Sequence, residues 1–397
     1  MPDHLDISTL IDNLSDLQKD MKVQDILADA LSEPLPTEER LRQIEQALET
    51  FKTLGLFGGE DLRDLHLLLT LGRTYERLSH LEKAFETYEK ALILSDRHQD
   101  LKSRAELLSH MGRVLTRWQR WDEALKNLDS SRAIYEMLND VRGQALVLLR
   151  RGTVFIEKGD YASAQDVYQA ALSLGDQIGN KGIIARACNN LAIVATIQGD
   201  FDNAISQYEL CIQMYRELGD ARGLGNTYLN LGMAHTDREH WTSAMDAYEK
   251  GFEVAQAHSH LDIMANIHLS MAEVMLEMGN SMMVPMCCAR ALDIYRKTGD
   301  RLGEADAYRL LGLTFSMRKD WVTAEGLFSD SLRLNEENSN PLGAAEAHRD
   351  RGKMLMIRGL KTDAQISLNA ALVGFQKLGA RADIIKVEKL LHELNDI

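Results

Sequence analysis

The sequence predicts an all-α protein built as a solenoid of helical hairpins. A small-residue column returns every 40 positions without insertion: Gly72, Gly112, Gly152, Ala192, Gly232, Ala272, Gly312 and Gly352. A fixed period of this length marks a stacked repeat in which each unit buries its apolar face against the next. Twelve residues later a second small column runs from Ala84 to Ala364, broken only by Val284. Four residues further on, a bulky column holds Tyr88, Leu128, Tyr168, Tyr208, Tyr248, Cys288, Phe328 and Leu368. The 5 prolines and 9 phenylalanines in 397 residues also argue against a β-rich chain.

Each 40-residue block divides into two helices, because apolar residues recur at i, i+3, i+4 and i+7 in both halves. The small columns let the two helices approach closely, and the bulky column fills the space beside them. The turn between them is clearest as Gly159-Asp160, Gly199-Asp200 and Gly279-Asn280. There the glycine takes a left-handed conformation and the Asp or Asn caps the next helix. An aromatic opens many second helices, as at Trp121, Tyr161, Phe201, Trp241 and Trp321. The return turns read Leu138-Asn139-Asp140, Ile178-Gly179-Asn180, Leu218-Gly219-Asp220 and Thr298-Gly299-Asp300.

Eight such hairpins are expected over 61–378. Residues 1–60 lie outside the columns and hold 13 Asp plus Glu against 5 Lys plus Arg. They are expected to form an acidic helical N-terminal cap or degenerate repeat, or an acidic segment that occupies the array's own groove. Residues 379–397 are expected to form the C-terminal capping helix that solenoids need. Pro285, read as lying past the first turn of its helix, predicts a kink in the sixth block, where Met282, Met283 and Met286 offer soft packing.

A net charge of −15 disfavours general binding to nucleic acid or to anionic membranes. The N-terminus shows no basic and apolar signal pattern, and no apolar stretch approaches the length of a membrane span. Cys188, Cys211, Cys287 and Cys288 lack paired metal or redox spacing and read as reduced, packed residues. A cytoplasmic location fits that usage. No nucleotide, zinc-protease or hydrolase motif is present, so neither catalysis nor a cofactor is expected. His258 and His260 fall in a turn, and His235, His268 and His348 fall in packing columns.

The small columns, the Leu or Met often preceding the glycine column and the aromatic after the alanine column resemble the tetratricopeptide repeat. The resemblance covers about residues 65–375, in a 40-residue variety similar to the repeats of kinesin light chain and of Partner-of-Inscuteable adaptors. It implies a right-handed superhelical solenoid whose first helices line a concave groove that holds a peptide. The groove positions that it implies carry Arg73, Arg77, Arg113, Arg117 and Arg150, with His110, then Arg186, Asn189, Asn190, Asn226 and Asn230. The sixth and eighth blocks supply Asn266, Glu273, Glu277, Arg349 and Lys353. Arginine holds carboxylates bidentately, and asparagine pairs with main-chain amides, so an acidic peptide or protein segment is the expected partner. A sensory module controlling an effector domain is the first alternative. A small-molecule receptor or enzyme in the superhelix interior is the second, and self-association through one end of the array is the third.

Overall fold

The computed structural model describes residues 62–396 except 79 and 379, together with Arg42, Glu45 and Glu49. The N-terminal cap expected over 1–60 otherwise lies outside the described residues. Among the described residues there are 17 helices and no strand. They are α1 (Leu62–Arg77), α2 (Leu81–Arg97), α3 (Leu101–Arg117), α4 (Trp121–Met137), α5 (Val141–Glu157), α6 (Tyr161–Gln177), α7 (Lys181–Ile197), α8 (Phe201–Leu218) and α9 (Ala221–Asp237). There follow α10 (Trp241–Ala257), α11 (Leu261–Glu277), α12 (Val284–Thr298), α13 (Arg301–Met317), α14 (Trp321–Glu337), α15 (Pro341–Ile357), α16 (Lys361–Leu378) and α17 (Arg381–Asp396). The expected all-α hairpin solenoid is the fold observed.

The junctions set the pitch. Every twentieth residue from Gln99 to Gly359 has positive φ, whether glycine or not. The next residue reaches back across the helix end, as Asp160 N–H does to Phe155 O at 2.8 Å. At many junctions its side chain then caps the following helix, as Asp160 does by accepting from Ser163 N–H at 3.1 Å, whereas Arg120, Asp200, His240 and His260 make no such bond. Where that cap forms, both ends are satisfied within three residues, which fixes helix lengths near 17. The sixth block departs from this pattern. Helix α12 starts at Val284 rather than three residues earlier, so Pro285 sits in its first turn, where a missing N–H costs nothing. The expected kink is therefore replaced by a shortened helix.

The contacts divide the chain into two units, one ending at Val194 and the other starting at Ala195. In the first unit, hairpins α1–α2, α3–α4 and α5–α6 stack on one another. In the second, α9–α10, α11–α12, α13–α14 and α15–α16 stack, and α17 packs on the last of them. Within each unit, successive first helices touch one another, whereas successive second helices make no comparable contact. The first-helix side is thus the more tightly curved side of each unit.

The column residues explain the close approach. A side chain at Gly112 would meet Leu128 Cγ at 2.7 Å, and one at Gly232 would enter the Tyr248 ring. Between hairpins the same logic alternates along the chain. The Tyr135 ring lies over Gly143, then Gly175 faces Ile183, then Tyr215 covers Gly223, and Tyr295 covers Gly303. Large and small residues exchange sides from one junction to the next while the combined volume is kept. All four cysteines are buried, and none is in a disulfide.

Candidate functional site

The first unit places Arg73 on α1, Arg113 and Arg117 on α3 and Arg150 on α5, all on the first-helix side. Arg77 closes α1, and its side chain lies outside the described residues. The arginines converge on a residue that the sequence reading did not single out. Glu76 is 5% exposed. It is paired with Arg113, which also donates to it through Nη2 at 2.6 Å, and Tyr88 donates to it at 3.0 Å. Arg117 donates to the Glu76 carbonyl oxygen at 3.2 Å, Arg73 is paired with Glu106, and Arg150 donates to Ser109 Oγ.

Burial alone would push the Glu76 carboxyl up. Hydrogen bonds from His110 and Arg113, with the Arg113 charge, outweigh it and bring the pKa to about 2. Burial, aided by the Arg150 and Arg113 charges, pushes the His110 imidazole down to about 3. His110 therefore adds no positive charge at neutral pH, contrary to its inclusion among the basic groove positions. Its Nε2 lies 3.3 Å from Arg73 and its Nδ1 3.1 Å from Arg113, so a neutral ring accepts from only one of them. Burial also lowers Arg150, to about 10, which leaves it charged at neutral pH. Among the described residues, the four guanidiniums thus outnumber Glu76 and Glu106, the two carboxylates set against them on α1 and α3.

The remaining expected positions are distributed as follows. Arg186, Asn189 and Asn190 lie on α7, with Arg186 exposed and the two asparagines half-buried. Asn226 and Asn230 lie half-buried on α9 in the second unit. Asn266 is engaged, accepting from the Tyr295 hydroxyl at 2.8 Å. Thr196 and Thr236 occupy the Glu76 repeat position and approach the Tyr208 and Tyr248 hydroxyls at 3.4 and 3.1 Å. Glu76 meets the same need of Tyr88, and that column was the signal by which it could have been found.

The second unit has a different first-helix face. Arg309 on α13 donates to Asp350 on α15 at 3.0 Å. Burial raises Asp306 to about 6; Arg309 opposes the rise, and Glu346, Glu273 and Asp300 add to it. A cavity opens between α11, α13 and α15. Among the described residues, no cluster of His, Cys, Asp and Glu could hold a metal ion, and no helix is long and apolar enough to cross a membrane.

The tetratricopeptide repeat profile matches residues 103–177, 184–257 and 263–337, and related profiles of the same repeat match 149–215 and 65–96. The chain belongs to the tetratricopeptide repeat family. Among curated proteins it is 29% identical over 158 residues to the 43 kDa receptor-associated protein of the synapse from Tetronarce californica. That match covers 38% of each protein, so the chain spans well under half the length of this relative. Among solved structures, a Rap protein complexed with competence and sporulation factor superposes with a TM-score of 0.62 at 15% identity, covering 82% of this chain and 90% of that one. The Rap conjugation gene regulator of plasmid pLS20, complexed with the Phr* peptide, gives 0.56 at 16% identity, covering 81% and 97%. These likenesses establish the repeat fold.

Proposed function

We propose that this tetratricopeptide repeat protein is a non-catalytic, cytoplasmic scaffold that binds a peptide segment of a partner on its first-helix face. The observation that carries the reading is the arginine cluster of the first unit. Arg73, Arg113, Arg117 and Arg150 come from three successive first helices and, among the described residues, outnumber the carboxylates Glu76 and Glu106 beside them, in a protein of net charge −15. A segment bearing Asp or Glu is the ligand that this charge recognises. Asn190, half-buried on α7 of the same unit, offers donors and an acceptor for the ligand main chain. Peptide binding by a Rap regulator of similar fold supports this use of the scaffold.

The buried contacts of Arg113 and Arg150 make them poor probes, since Arg113→Glu sets a second carboxylate against Glu76. Arg186 and Asn190 on α7 are better. The test is capture of partners from a lysate by wild type and by Arg186→Glu/Asn190→Ala, read by mass spectrometry. The reading expects a partner that wild type retains, that the variant loses, and whose acidic segment alone competes for binding. Identical partners on both, with no competition by that segment, would refute it.

A further inference from the structure

Arg150 differs from the other arginines of the first unit's cluster. Arg73 is paired with Glu106 and Arg113 with Glu76, and Arg117 donates to the Glu76 carbonyl oxygen at 3.2 Å. Those contacts tie α1 to α3. Arg150, on α5, is half-buried and donates to the neutral Ser109 Oγ on α3. Among the described residues it has no carboxylate partner. Burial opposes its charge, and the neighbouring Arg113 charge opposes it further. A guanidinium held in this way destabilises the folded chain unless an anion completes it.

A second donor stands beside it. Tyr135 lies on α4 with its ring over Gly143 of α5. Four blocks on, Tyr295 holds the same repeat position, and its hydroxyl donates to Asn266 on the first helix α11 at 2.8 Å. The residue that corresponds to Asn266 is Glu106, which Arg73 already holds. The Tyr135 hydroxyl has no hydrogen-bond partner among the described residues. Burial pushes it up, and the Arg150 and Arg73 charges oppose the rise without cancelling it, so it stays a protonated donor near both guanidiniums.

We infer that Arg150 is the residue that reads the ligand's acidic side chain: its guanidinium takes the carboxylate of an Asp or Glu, and the Tyr135 hydroxyl donates to the same carboxylate. Arg73, Arg113 and Arg117 hold α1 to α3 and leave that carboxylate to Arg150. Hydrogen bonds between charged partners are the strong ones, and the fork of an arginine matches a carboxylate. The inference rests on the peptide-binding reading and narrows its acidic ligand to one pair of donors. It also separates recognition from stability, because the charge that binds the ligand is one that the folded chain holds at a cost.

The test uses the full chain and the fluorescence anisotropy of a labelled, end-blocked Glu-Ala-Glu-Ala-Glu-Ala peptide and its glutamine analogue. Wild type is expected to bind the glutamate peptide and to ignore the glutamine one. Arg150→Gln sets no carboxylate in the cluster. It should weaken binding about tenfold or more and melt no lower than wild type. Tyr135→Phe keeps a ring over Gly143, as the native Phe375 does at the same repeat position, and should weaken binding about threefold or more at an unchanged melting temperature. Arg120→Gln makes the same change of net charge at an exposed arginine paired with Glu123, and should leave affinity within about twofold of wild type. Wild-type affinity in Arg150→Gln, a clearly lower melting temperature, or a loss no greater than that of Arg120→Gln would overturn the inference. So would wild type binding both peptides equally or neither. If Arg186→Glu/Asn190→Ala loses the glutamate peptide while Arg150→Gln keeps it, this inference fails and the peptide-binding reading stands. Loss in Arg150→Gln with retention in Arg186→Glu/Asn190→Ala would uphold the inference and move the ligand off α7.

Discussion

Glu76 ties together α1, α2 and α3 through Arg113, Tyr88 and the arginines around them. Its folded pKa of about 2 lies below the ordinary carboxylate value, so its contribution is present above that ordinary value and lost as pH falls toward 2. Glu76→Gln should cost on the order of 2–3 kcal/mol at pH 7. In urea titrations the gap from wild type should narrow as pH falls from 5 toward 2, and a gap independent of pH would contradict the pairing. Asp306 has the opposite sign. Burial raises it to about 6, so its favourable contribution, present below its unfolded value near 4, is lost as pH rises through about 6. Asp306→Asn should raise stability at pH 7.5 by on the order of 1–3 kcal/mol and leave it unchanged at pH 4, read from thermal melts. The arginines were legible in the sequence because they recur in a repeat column. Glu76 and Asp306 were not, because their burial depends on how the helices stack, and Tyr88 and Arg113 reach Glu76 from other helices.

At the scale of the helices and their junctions, the sequence was most legible where one residue type had to recur. The Gly-Asp turns at 159–160 and 199–200 were readable because glycine adopts positive φ at little cost. Gln119 and Lys319 take the same conformation without that signal, since the flanking helices enforce it. Gln119→Gly and Lys319→Gly should therefore each stabilise the protein, by up to about 1 kcal/mol in chemical denaturation. A loss of stability would show that these side chains make contacts that outweigh the strain. The alternation of Tyr135 over Gly143 with Gly175 facing Ile183 was missed, because it repeats every 80 residues and exchanges sides. It makes a coupled prediction. Tyr215→Ala should cost about 3–5 kcal/mol, and Gly223→Ile about 1–3 kcal/mol. The double variant, which copies the native Ala255 and Ile263, should cost clearly less than their sum. Strict additivity in urea unfolding would mean that these pairs do not fill one shared space.

For the molecule as a whole, the central claim is that an acidic chain uses its few concentrated cations for recognition. Among the described residues, arginines outnumber carboxylates in the cluster of the first unit, while the cavity of the second unit is lined by three carboxylates and three cations. The sequence made the first of these visible as arginines in the groove columns. It left the second hidden, because Arg349 and Lys353 looked basic until Asp350 was found between them. Exposed charges are screened over about 8–10 Å at physiological ionic strength, so ligand binding to the first unit should weaken with added salt. The most direct test of the claim is selection from a displayed library of random 12-residue peptides, run on wild type and on the Arg186→Glu/Asn190→Ala variant. The account predicts that wild type enriches peptides rich in Asp and Glu and that the variant loses that enrichment. Enrichment without acidic character, or acidic enrichment that the variant keeps, would contradict it.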